Sequence, residues 1–297
     1  MNIPIFHIDF FSDWIVLLEN DLTGFGYNTV GLSNEKIQIA YFNIKRRLIE
    51  PIKRDILKSR EFTCPVERAI GLQRLEQEIK NGSDLKPYLS KYILDIDYND
   101  NLLNHWGIYH LHLGDHVEAS GFIKREGPVL YARFDKVNAY LVDVRGHNSW
   151  SEQSLIQVVH DNWPHTIAAF RYPASTRLSY HTTDNEVSKL RKANLNSTVG
   201  VRDGTVYGVI GGGSALNGVS NEVVSLMLHA KEKITKWQKL IEADIENIVE
   251  DALSKVSLQP HHLPTFLQQC FNILRCKRQQ FIDSAVRPGG EFFQGIG

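Results

Sequence analysis

The chain of 297 residues carries 33 Lys and Arg against 34 Asp and Glu, a net charge of −1, with 42% hydrophobic and 23% charged residues. These values suit a folded protein large enough to bury a core without disulfide or metal staples, and they exclude a disordered chain, a collagen and a strongly basic nucleic-acid clamp. What departs from the ordinary is placement: eight of the twelve histidines fall between residues 105 and 181.

The first residues contain no basic stretch and carry Asp9, Asp13, Glu19 and Asp21, so a secretory signal is not expected. No apolar run of about 18 residues follows, and Cys64, Cys270 and Cys276 form no Cys-x-x-Cys pair. A cytoplasmic protein with reduced thiols and no membrane contact is the expectation.

Periodicity predicts an α+β fold in three regions. Residues 1–98 read as mainly helical after a short apolar strand. Ile37, Ala40, Tyr41, Ile44 and Leu48 recur at helical spacing until Pro51, and a second helical stretch passes through Ile52, Ile56 and Leu57. Pro65 opens another helix with Ala69, Leu72, Leu75 and Ile79 on one face, ended by Asn81-Gly82. Residues 99–175 read as a small antiparallel sheet with helices: WGIYHLHLG, PVLYARF and AYLVDVRGH are three strands, the last two joined at Asp135–Asn138. Ser149 and Glu152 suggest a capping box before a helix that stops near Pro164. Residues 176–297 begin with a second capping box, Thr183 to Glu186. A hairpin turning at Asp203-Gly204, a glycine loop at 211–213, a long helix from about 220 to 253 and a last helix around Phe266–Leu274 follow.

Strand alternation places His110 and His112 on the same face as Ile108, opposite Tyr109, Leu111 and Leu113, which read as the core side. Arg133 shares a face with Val129 and Tyr131, and Arg145 and His147 share one with Leu141 and Asp143. If the strands pair as neighbours, His110, His112, Arg133, Arg145 and His147 gather on one sheet face. A one-residue shift of register would scatter them.

Such a group suits acid–base cleavage of RNA. An imidazole takes a proton from a 2′-hydroxyl or gives one to the leaving oxygen, and a forked guanidinium stabilises the charge on phosphorus. His147 is the expected acid or base, His110 or His112 its counterpart, and Arg133 with Arg145 the phosphate clamp. Because the substrate supplies the nucleophile, neither metal nor cofactor is required. Two alternatives stand beside this: the histidines are polar surface, or His-x-His with His147 or Asp143 binds zinc. His105, His116, His165 and His181 read as loop or surface residues.

The run from Trp106 to Val159, with strands GIYHLHLG, GPVLYARF and AYLVDVRGH and then a helix, resembles the RelE/HigB/ParE-like toxin superfamily. Arg133 matches the arginine-bearing strand of that family, and Arg145 with His147 the end of the next. The resemblance implies a small sheet packed on helices, metal-independent cleavage of messenger RNA, and a toxin or phage-defence setting with an antitoxin or other protein partner. The chain departs from the family in being much longer, in being neutral, and in having Asn148-Ser149-Trp150-Ser151 where a lysine-rich segment often stands.

The stretch 45–60 is locally basic, seven cations against Glu50 and Asp55. On a helix, Lys45, Arg46, Arg47, Lys53 and Arg54 would offer a phosphate-contacting face or a solvated surface. Gly211–Gly213 lacks the Gly-Lys-Ser/Thr sequel of a phosphate loop and reads as a hinge. The expected function is therefore a metal-independent ribonuclease with RNA as partner. The alternatives are a non-catalytic nucleic-acid or protein interaction module, dimeric through the long helix, or a zinc-dependent hydrolase.

Overall fold

The computed structural model describes residues 9–247, and the protein is α+β. The predicted strand at the N-terminus, the helix around Phe266–Leu274, Cys270 and Cys276 lie outside the described residues. In chain order the elements are α1 (Phe10–Gly24), α2 (Asn34–Arg47), β1 (Asp55–Lys58), α3 (Ala69–Asn81), α4 (Asn101–Trp106), β2 (Tyr109–His112), β3 (Val129–Phe134), β4 (Asn138–Arg145), α5 (Ser154–Asn162), α6 (Asp184–Lys192), β5 (Val199–Gly200), β6 (Val206–Tyr207) and α7 (Asn221–Ala243). Among these residues no helix is long and apolar enough to cross a membrane.

The chain divides into two compact units. One holds residues 9–38 and 225–247 among the described residues, and the other is Ile39–Val224. In the first, α1 starts at Asp9, whose carboxylate accepts from the Ser12 amide at 2.9 Å, and buries Phe10, Trp14, Ile15, Leu18 and Leu22.

The second unit is built on a four-stranded sheet of order β1-β4-β3-β2, with β1 parallel to β4 and the remaining pairs antiparallel. Apolar residues from both faces of these strands are buried, in two separate cores. Leu111, Leu130, Ala132, Ala139 and Leu141 pack with Leu72, Leu75 and Ile79 of α3. Ile108, Val129, Tyr131, Tyr140 and Val142 pack with Leu155, Ile156 and Val159 of α5. A sheet covered on two sides needs near-continuous apolar strands, which is how PVLYARF and AYLVDV read.

Several local expectations hold. Helix α3 ends at Gly82, whose φ of 73° supplies the left-handed cap. The Thr183–Glu186 capping box has both its halves, and the hairpin β5–β6 turns at Gly204 with φ 84°. Others change. The segment through Ile52, Ile56 and Leu57 is not helical: residues 55–58 form β1, because pairing with 138–141 of β4 satisfies backbone groups that an isolated turn after Pro51 would leave to water. Ser149 starts only a 3₁₀ turn, Ser149–Ser151, and α5 begins later, because Glu152 turns its carboxylate to Arg145.

Candidate metal centre

His110 and His112 leave β2 on the face that carries Ile108, and that face is covered. Ile108 is fully buried in the α5-side core, so the face opposite the expected core side is mostly core as well. The two imidazoles stand where this core ends. In register, His110 faces Tyr131 and then Asp143 across the sheet, while His112 faces Val129 and then Arg145.

This alignment depends on an irregularity. Between Tyr131 and Ala132 the pairing with β4 jumps from Asp143 to Leu141, leaving Val142 as an extra residue. A bulge of this kind reverses the side-chain alternation beyond it. Leu141 consequently points into the α3-side core, and Asp143 and Arg145 do not share its face as uniform alternation predicts. They lie instead in the rows of the two histidines. The chain leaves β4 at Arg145 and turns at Gly146, and Tyr131 Oη donates to the carbonyls of Gly146 at 3.1 Å and His147 at 3.4 Å. His147 is thereby folded over the end of β2.

The three rings meet. Their centroids are 5.9 Å (His110–His112), 5.4 Å (His110–His147) and 5.6 Å (His112–His147) apart, and one nitrogen from each lies within 4.8 Å of the other two. His112 is 4% exposed, His110 is half-buried and His147 is open to solvent. The buried Nε2 of His112 has no hydrogen-bond partner among the described residues. An orphaned polar atom of this kind is costly inside a protein and calls for a partner.

Burial disfavours the charged form of both inner rings. It pushes the His112 imidazole down to about 3, reinforced by His110, Arg125 and His147, and it lowers His110 against the opposing pull of the Asp100 carboxylate. These two rings are neutral at physiological pH, each with a lone pair to offer.

The predicted arginines do not complete the group as a phosphate clamp. Arg133 is folded under the sheet, where Nη1 donates to the carbonyls of Trp106 at 2.6 Å and Gly107 at 3.4 Å, and Nη2 to that of Thr166 at 3.4 Å. It closes the C-terminal end of α4, and burial lowers its guanidinium to about 10. Arg145 lies closer to the rings but is occupied: Nε meets Asp143 Oδ2 at 2.9 Å, and Nη1 meets Glu152 Oε2 at 3.0 Å and Ser154 Oγ at 2.6 Å.

The basic stretch is also folded inward for the most part. Arg46 bonds Glu222, Asn104 Oδ1 and the carbonyls of Leu103 and Gly211. Arg47 donates to the carbonyls of Tyr92 and Asp95, and Arg54 to those of Glu50, Ile52 and Asp135. Lys45 and Lys53 are exposed, on α2 and on the segment before β1.

Of the other histidines, His116, His165 and His181 are exposed, as expected. His105 is not: it is 1% exposed in α4, beside Trp106, because its position in the short helix faces the core. His160 bonds the Tyr207 hydroxyl at 2.8 Å and the exposed Asp203 carboxylate at 3.2 Å, a polar brace between α5 and the hairpin. Asp100 belongs to no motif that marks it in the sequence. Its only local signal is its place at the N-cap of α4, where Oδ1 accepts from the Leu103 amide. No family model, curated protein or solved structure matches this chain.

Proposed function

We propose that the protein is a metal-dependent hydrolase whose centre is a zinc-class divalent ion held by His110, His112 and His147. The observation that carries this reading is the convergence of three imidazole nitrogens within 4.8 Å, one of them buried without a partner. Tetrahedral zinc with bonds of about 2.0–2.1 Å places its ligands roughly 3.4 Å apart, so side-chain rotations of the order of 1 Å would close the site. Neutral imidazoles are the right ligands, since a protonated ring cannot coordinate. Three protein ligands leave a fourth position for water, and such an ion lowers that water's pKa to near neutrality and polarises a bound ester or phosphoryl group. The exposed His147 puts this fourth position within reach of solvent.

RNA is the first substrate to test. With Arg133 and Arg145 committed elsewhere, the ion would carry the charge stabilisation that a metal-free mechanism assigns to guanidinium groups. The toxin or defence setting and a protein antitoxin follow only if RNA is cleaved.

The test is elemental analysis of the purified chain together with cleavage of a labelled RNA with and without EDTA. About one zinc per chain, lost in His112→Ala, and cleavage abolished by EDTA and restored by zinc are expected. Cleavage that persists in EDTA with no bound metal would replace this reading with histidine acid–base catalysis. Neither metal nor cleavage would leave the interaction-module reading.

A further inference from the structure

Beside His110 lies a cavity of about 20 Å³ lined among others by Arg47, Ser90, Tyr98, Asp100, Tyr109 and His110. A single water needs about 10–15 Å³ and two to four polar partners. The space fits one water, and the question is which lining groups still have capacity to hold it.

Most are committed. The Tyr109 hydroxyl donates to the Arg46 carbonyl at 2.8 Å. Both terminal nitrogens of Arg47 donate to carbonyls, and Ser90 Oγ accepts from the Tyr92 amide. Two groups differ. Asp100 uses Oδ1 to cap α4, at 3.0 Å from the Leu103 amide, and Oδ2 has no hydrogen bond among the described residues. The His110 ring likewise has no hydrogen bond among the described residues, and only one of its nitrogens is needed for the three-histidine cluster, which leaves the other for a second partner.

We infer that Asp100 is the outer partner of His110, acting through one water in this cavity. The water accepts the N–H of the non-ligating His110 nitrogen and donates to Asp100 Oδ2. This inference rests on the metal-centre reading. Histidines that bind metals characteristically give their second N–H to a carboxylate, a carbonyl or water, which fixes the tautomer and ring orientation and raises ligand basicity. Asp100 is suited to this because its carboxylate is already anchored by the helix cap, so the water has a rigid acceptor. Asp100 is a positioning residue and touches neither ion nor substrate.

The experiment uses the full chain with zinc alone as the ligand, its affinity measured by competition with a chromophoric chelator. Asp100→Asn keeps an oxygen for the Leu103 amide, so the metal-free melting temperature should be that of the wild type, whereas zinc affinity should fall about 10–100-fold. Asp100→Glu, with its charge retained, should recover part of the loss. Equal zinc affinity in Asp100→Asn and wild type overturns the inference and leaves the metal centre standing. A wild-type chain that binds no zinc overturns both. Should Asp100→Asn fail to fold, ¹⁵N NMR of the zinc-loaded wild type decides: a slowly exchanging His110 ring N–H with a cross-peak to water supports the relay, and a rapidly exchanging one refutes it.

Discussion

At the scale of single residues, histidine burial separates roles that composition leaves equal. His105 is enclosed in α4 with no hydrogen bond to either ring nitrogen among the described residues, and burial, with the Arg191 charge behind it, pushes the ring from 6.5 down to about 4. The unfolded chain therefore binds this proton at a pH where the folded chain does not. Stability from this source is complete above about pH 6.5 and is lost as pH falls toward 4, by up to about 3 kcal/mol. Urea denaturation at pH 7.5 and 4.5 should show a larger acid loss for wild type than for His105→Gln, and equal losses would disprove the assignment. The i, i+2 spacing of His110 and His112 was legible because strand geometry is local. The fate of Arg133 was not, since the carbonyls it binds belong to α4 and to residue 166, far from it in sequence.

At the scale of elements, close backbone contact decides where β2 ends. Gly71 of α3 lies so close to the chain after β2 that a Cβ there would overlap the Leu113 carbonyl and crowd Gly114. In a free helix, Gly71→Ala would gain about 1 kcal/mol of propensity. Here overpacking costs about 1–3 kcal/mol, and the rigid backbone partner makes the upper end apply. Chemical denaturation should show net destabilisation, and a more stable variant would mean that α3 can move away. The same displacement would shift His112, one residue from Leu113, so zinc affinity should fall with stability. Two features escaped periodicity. The four residues of β1 are too few to signal a strand without their partner β4, and the Val142 bulge gives no compositional cue. The helices α3 and α5, with long apolar faces and clear stops, were legible.

At the scale of the whole molecule, a bound ion would join segments distant in sequence, the end of β2 and the turn after β4. A ligand that binds only the folded state stabilises it by mass action, about 2.7 kcal/mol at a free concentration 100 times its Kd. Zinc should therefore raise the melting temperature in a concentration-dependent way that EDTA reverses. His147→Ala removes an exposed ring, so it should melt like metal-free wild type and show no zinc-dependent rise. A rise that survives in this variant would place the stabilising ion elsewhere.

The α+β class, the three central strands, the hairpin turns and the shared face of His110 and His112 were determined by sequence alone, because each depends on φ/ψ preferences and side-chain periods that act over a few neighbouring residues. Only the tertiary structure decided that both sheet faces are covered, that Arg133, Arg46, Arg47 and Arg54 serve buried carbonyls, and that His147 turns back over His110 and His112. A cation reads the same in sequence whether it meets water or a buried carbonyl. The partner that distinguishes these outcomes arrives through packing, from residues that local pattern does not connect.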